Sequence, residues 1–328
     1  MLLKLFKQSK PIILIFVLIL AIISRGFLFI QLPESPNYAG EYPLFSGFWN
    51  FFSTHTIFSI LLSFILLFVQ ASWMNRIAVN NGLVKQNSVL PVLLYILFSS
   101  SFHTLYLSPI VLGQLFILLA FDKLLRVYPA KNVQTNLFNA AILLSVSSII
   151  CPELSVISLS LILFILIYGL SELRNWMVTL LGLALPFSFF ISYELTILET
   201  PFATISNYFT LEFQLSQLMS QLDLGDYLSA LIVSMYFIAA FSDLNKAFSQ
   251  KNIQKRFSLS FILWTSPLIV VFFMLNLNPE AYLLTCIPIT LLLSNYFMHK
   301  RENIKIHLAF NLLILLLIFG PPFWTLFK

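Results

Sequence analysis

Charge is what this chain has least of. Aspartate, glutamate, lysine and arginine make up only 9% of its 328 residues, while 59% are hydrophobic. A soluble domain carries roughly a quarter charged residues. This chain cannot cover a water-facing surface, so it reads as a polytopic membrane protein. Cysteine is nearly missing too. Cys151 and Cys286 sit at or within apolar stretches and read as small buried residues, not as a disulfide framework or a metal site. His55, His103, His299 and His307 are scattered and no HExxH occurs, so zinc is not expected. There is no Walker lysine, no GxGxxG, no nucleophile elbow and no repeat of fixed period. No cofactor or metal is expected.

What is there is a succession of apolar runs, read as one integral membrane domain over 1–328. The fold class is an all-α transmembrane helix bundle. The expected spans are 11–32, 51–73, 89–101, 109–127, 138–150, 154–170, 176–198, 228–241, 259–275, 281–297 and 307–326, which is about eleven. Several fall short of the ~20 residues of a straight span. The first run follows Lys4, Lys7 and Lys10. It is too long for a signal peptide and lacks a small-x-small cleavage site, so it reads as an uncleaved helix.

Lys and Arg placement tests this topology. With the N-terminus in the cytoplasm, every basic residue except Arg25 and Lys328 falls on an inner connection. The net charge of +5 therefore orients helices and does not mark a nucleic-acid partner. The outer connections carry Glu34, Glu41, Glu153, Glu199, Glu212, Asp223, Asp226 and Glu280. Both substantial polar loops, 33–50 and 199–227, lie outside, and the expected localisation is the cell inner membrane. Within the second loop, Tyr208, Leu211, Leu215, Leu218 and Leu222 recur at helical spacing, which predicts an interfacial amphipathic helix over 204–224.

The candidate chemistry gathers at the first exit, RGFLFIQLPESPNYAGEYPLFSGFWN. Arg25 lies inside a span, about 21 Å from its start at ~1.5 Å per residue. An intramembrane arginine is a functional-site hypothesis by default. It reaches the outer interface by snorkelling, where guanidinium suits a lipid-linked phosphate. Alternatively it pairs with Glu194 or Glu153. Glu41 or Glu34 is the expected catalytic residue, a general base that deprotonates an acceptor hydroxyl. Gly40 favours Glu41 by permitting a tight turn there. Tyr38 and Tyr42 could stack on a sugar. The expected substrate-binding set is Arg25, Tyr38, Tyr42, Glu153 and Glu194. For Glu153, Pro152 ends one helix and the carboxylate caps the next. The 35 phenylalanines are lipid-facing and packing material.

The segments SKPIILIFVLILAI, NRIAVNNGLVKQNSVLPVLLYILFSS and LFNAAILLSVSSIICPELSVISLSLILFILIY resemble an uncharacterised family of bacterial multi-spanning inner-membrane proteins. More distantly, the layout is similar to the GT-C glycosyltransferases that use polyprenyl-phosphate sugars. That resemblance implies a catalytic carboxylate in the first outer loop, the place of Glu34 or Glu41. It also implies matches at Asn75-Arg76 and at Cys151-Pro152-Glu153. The usual first-loop aspartate is absent, and no large soluble domain follows. The implied partner is a membrane lipid, a polyprenyl-phosphate sugar. The alternatives are a non-catalytic subunit of an envelope assembly, with protein partners, and a secondary transporter.

Overall fold

The computed structural model describes residues 6–7, 11–26, 38, 45–85, 88–100, 105–127, 132–193, 195–196, 253–275, 283–299 and 304–325. Among them the chain is helical and holds no strand. The helices are α1 (Pro11–Gly26), α2 (Ser46–Thr54), α3 (Thr56–Asn80), α4 (Leu90–Ser100), α5 (Pro109–Leu125) and α6 (Val133–Ile150). A 3-10 helix, Pro152–Leu159, leads into α7 (Ser160–Ile167). Then come α8 (Leu173–Tyr193), α9 (Ile253–Leu275), α10 (Cys286–His299) and α11 (Ile304–Thr325). The expected amphipathic helix over 204–224 and the eighth span lie outside the described residues.

Helix α3 shows the solvent for which the fold is built. Its inward face carries Ser59, Ser63, Leu67, Gln70, Met74 and Ile77. Its outward face carries Ile57, Phe58, Leu61 and Ile65, with Ile57 72% exposed. A helix in water turns its polar stripe outward. Here serines and an amide point in and branched apolar side chains point out, which suits lipid. Helix α8 does the same with Leu173, Leu180, Leu181 and Phe189. Helices α3, α6 and α8 are each long and apolar enough to cross a membrane, and several shorter apolar helices accompany them.

Local signals set the breaks. The expected second span, 51–73, is divided in the structure: α2 ends at Thr54, and His55, outside helical geometry, separates it from α3. Helix α3 ends in a Schellman motif. Leu83 N–H donates to Ala78 O, Gly82 N–H donates to Val79 O, and Gly82 takes φ 65°. The same motif closes α7 at Gly169, φ 66°. Ser108 caps α5, its hydroxyl accepting from Val111 N–H at 3.3 Å, with Pro109 opening the first turn.

Every residue of α4 is buried. This short helix, expected only as a short third span over 89–101, lies at the centre of the packing. It packs against α3, α10, α1 and α11. Helix α6 packs against α5 and α8, and its contact with α8 rests on Gly182. A Cβ there would lie 2.7 Å from Ala141 Cβ and 2.8 Å from Phe138 O.

Side-chain contacts sort the helix ends into two groups. At one end Phe6 O accepts from Val89 N–H at 3.1 Å, and Phe310 packs edge-on to Phe297. There too Ser258 Oγ donates to Asn81 Oδ1 at 3.1 Å, and Tyr168 stacks on Phe257. At the other end Leu107 N–H donates to Ser59 Oγ at 2.9 Å.

Candidate functional site

The second of these ends holds a cleft. Its walls are Tyr38, Trp49, Phe52, Ser53, Ser59, Tyr106 and Leu107, which close on one another so that no water-sized space remains between them. Helix α2, SGFWNFFST, supplies the aromatic wall. It is amphipathic over one short stretch: Trp49 is buried, while Phe48 and Phe51 face out. Tyr38 meets Trp49 edge-on, with centroids 5.8 Å apart and planes at 71°. This is a favoured aromatic geometry that fixes both rings. Ser59, on the first turns of α3, ties the cleft floor to the 105–108 connection. Burial raises the Tyr106 hydroxyl above its ordinary value, so it stays a neutral donor. At the α2–α3 break, His55 stacks on Phe51 at 4.4 Å, and its Nδ1 lies 3.0 Å from Phe51 O.

Such a cleft offers flat apolar rings beside hydroxyls. That combination is complementary to a ligand with an apolar face and a hydroxylated rim, and the closed side chains would have to part to admit one. Tyr38 is the expected binding residue that the structure brings into it. Glu34, Glu41, Tyr42 and Glu194 lie outside the described residues. Arg25 is not on the cleft wall. It is 5% exposed, and its guanidinium stands over the Phe64 ring, 5.7 Å from the centroid. Glu153 sits in the first turn of the 3-10 helix, directly after the extended Cys151, and accepts from Cys151 Sγ at 3.0 Å. The break at Cys151-Pro152 expected from proline is therefore present, with a 3-10 helix after it where a regular span was expected.

Sequence reasoning missed a second polar group, deeper in the bundle. Tyr95 of α4 donates its hydroxyl to Gln70 Oε1 of α3 at 2.6 Å. Gln70 Nε2 donates to Val111 O of α5 at 2.7 Å. Gln114 Nε2 of α5 donates to Leu283 O at 2.9 Å. All three side chains are fully buried. Tyr95 also lies within electrostatic reach of Arg25. The available signal was a lone amide inside an apolar span, in FVQASW and in LGQLF. Among the described residues no cluster of His, Cys, Asp and Glu could hold a metal ion.

No curated protein and no solved structure matches the chain. A family of unknown function, DUF6427, matches residues 41–323. That range runs from the segment before α2 into α11 and spans most of the sequence, so this chain belongs to the DUF6427 family.

Proposed function

We propose that this chain is a single-domain, multi-pass protein of the inner membrane. Its outer face transfers a sugar from a lipid-phosphate donor in the manner of GT-C glycosyltransferases. The observation that carries the reading is the cleft of Tyr38, Trp49, Ser53, Ser59 and Tyr106 at one end of the bundle. Rings stack on the C–H face of a sugar, and hydroxyls meet its rim. Residues 33–50, which hold both first-loop glutamates, connect α1 to the aromatic wall of that cleft. In this reading Glu41, or Glu34, takes the acceptor proton as the glycosidic bond forms. Arg25 acts from beneath as a fixed positive charge, because its burial in the bundle disfavours direct contact with an exposed phosphate.

The orientation belongs to the same proposal: about eleven spans, with the N-terminus cytoplasmic. The sorted helix ends support it. Phe6, Asn81, Tyr168, Phe257, Ser258, Phe297 and Phe310 meet at one end, and each is in or beside a connection that carries lysine or arginine.

The test is transfer in membranes supplied with polyprenyl-phosphate sugars. Wild type should transfer, and Glu41→Gln should lose about 10²–10⁴ in rate, as removal of a general base does. Full activity of the Glu34→Gln, Glu41→Gln double variant would remove the first loop from the chemistry.

A second reading, a non-catalytic subunit of an envelope assembly, is favoured by the filled interior. Helix α4 is buried along its whole length by the helices packed around it. Absence of transfer with every donor, together with co-purification of a defined envelope partner, would select it.

A further inference from the structure

Helix α2 carries three kinds of surface on nine residues. Trp49, Phe52 and Ser53 turn to the bundle and line the cleft. Phe48 and Phe51, on a second side, are exposed. Asn50 and Thr54, on a third, are exposed as well. A helix built for water turns polar residues to its open sides, and hydrocarbon offers an amide no partner. The aromatic side also continues onto α3. His55 stacks on Phe51 and meets Phe58 edge-on, with centroids 6.3 Å apart. Phe58 belongs with Ile57, Leu61 and Ile65 to the outward, lipid-suited face of α3. The two ends of α2 differ in the same sense. Phe45 at the N-cap offers the first-turn amides no side-chain acceptor, and water can supply one. At the C-terminal end, Thr54 Oγ1 donates to Asn50 O at 3.0 Å and His55 N–H donates to Phe51 O at 3.0 Å, so these carbonyls are met from within the protein.

We propose that α2 is a membrane-interface helix. Phe48 and Phe51 sit in the boundary between lipid head groups and acyl chains, and Asn50 and Thr54 face the water above it. Nine residues reach about 13 Å at ~1.5 Å per residue, far short of the ~30 Å hydrocarbon core, so α2 lies in the interface and does not cross. Lipid is the occupant of the aromatic side because that side is continuous with the face that α3 turns to lipid. Trp49, Phe52 and Ser53 of the same helix close the cleft, so the cleft lies at the level of the head groups. The inference rests on the chain being embedded in a membrane. It needs neither sugar transfer nor a choice of membrane face.

Spin labelling of the full chain in lipid nanodiscs tests it. Nitroxides are attached singly to Phe48→Cys, Asn50→Cys, Phe51→Cys, Thr54→Cys and Leu61→Cys. The native Cys151 and Cys286 are buried and should not take the label. Oxygen partitions into lipid and a neutral nickel chelate into water, so the ratio of their relaxation effects reads the surroundings of each label. The oxygen-to-nickel ratio should be several-fold higher at Phe48 and Phe51 than at Asn50 and Thr54. Two positions on each side keep a distortion at one label from producing the pattern. A water-like ratio at both phenylalanines, or equal ratios on both sides, would overturn the proposal. Exclusion of both reagents at Phe48 and Phe51 would place protein there, a second copy or another partner, and would overturn it too. Leu61, on the outward face of α3, is the lipid reference. A water-like Leu61 would remove the membrane reading and this inference with it, whereas a lipid-like Leu61 beside water-like phenylalanines would remove this inference alone.

Discussion

Two glycines differ in what a methyl group would meet. At Gly182 the added Cβ faces Phe138 O, which is backbone, and Ala141 Cβ on a packed helix. At Gly113 it faces Leu154 Cδ1, the end of a flexible side chain. Gly182→Ala should therefore destabilise the protein by about 1–3 kcal/mol, the usual range for overpacking. Gly113→Ala should cost less, because Leu154 can change rotamer. Thermal unfolding in detergent checks the order, and a larger loss at Gly113 would contradict this account of the α6–α8 contact. A second residue-scale test concerns the C-terminal end of α5. Asp122 is buried there and is held by Arg126, whose Nε donates to Oδ1 at 3.0 Å and whose Nη2 stands 2.7 Å from Oδ2 as an ion pair. A carboxylate near a helix C-terminus opposes the dipole, and Arg126 offsets it. Arg126→Ala should destabilise strongly, because it leaves a buried charge without its partner. The Asp122→Asn, Arg126→Ala double variant should recover most of the loss in the same assay.

Among the elements, the shortest helices were the hardest to interpret from sequence. An apolar run as short as 90–100 has the same composition whether lipid or protein surrounds it, and only the packing of α1, α3, α10 and α11 places α4 at the centre. The α2–α3 break was equally hidden, since no proline or glycine marks His55. The turn at Cys151-Pro152 was legible, because proline cannot continue a helix. The amphipathic segment 204–224 remains a sequence expectation with a clear test. Leu215→Asp together with Leu218→Asp puts two charges on its apolar face and should release it from the membrane surface. Limited proteolysis of this loop in proteoliposomes should then accelerate. An unchanged rate would mean that the helix does not lie in the interface.

At the scale of the whole molecule, orientation is the property to measure. Cysteines placed at Asn50 and Gln214 should react with an impermeant thiol reagent in intact cells, and one at Lys85 should not. The native Cys151 and Cys286 are both buried, so the background should be low. Labelling at Lys85 would reverse the bundle. The helical class and the approximate bounds of most described helices were legible in the sequence because they depend on local composition: apolar length and helix-stopping proline. The cleft and the Gln70–Tyr95–Gln114 group were not legible. Their members lie up to 68 and 44 positions apart, from Tyr38 to Tyr106 and from Gln70 to Gln114. The local pattern around each is a single polar residue or an ordinary aromatic one. Only tertiary packing decides which of those side chains face each other, and burial then makes them seek partners, because a polar group sealed from water must find its hydrogen bonds inside the protein.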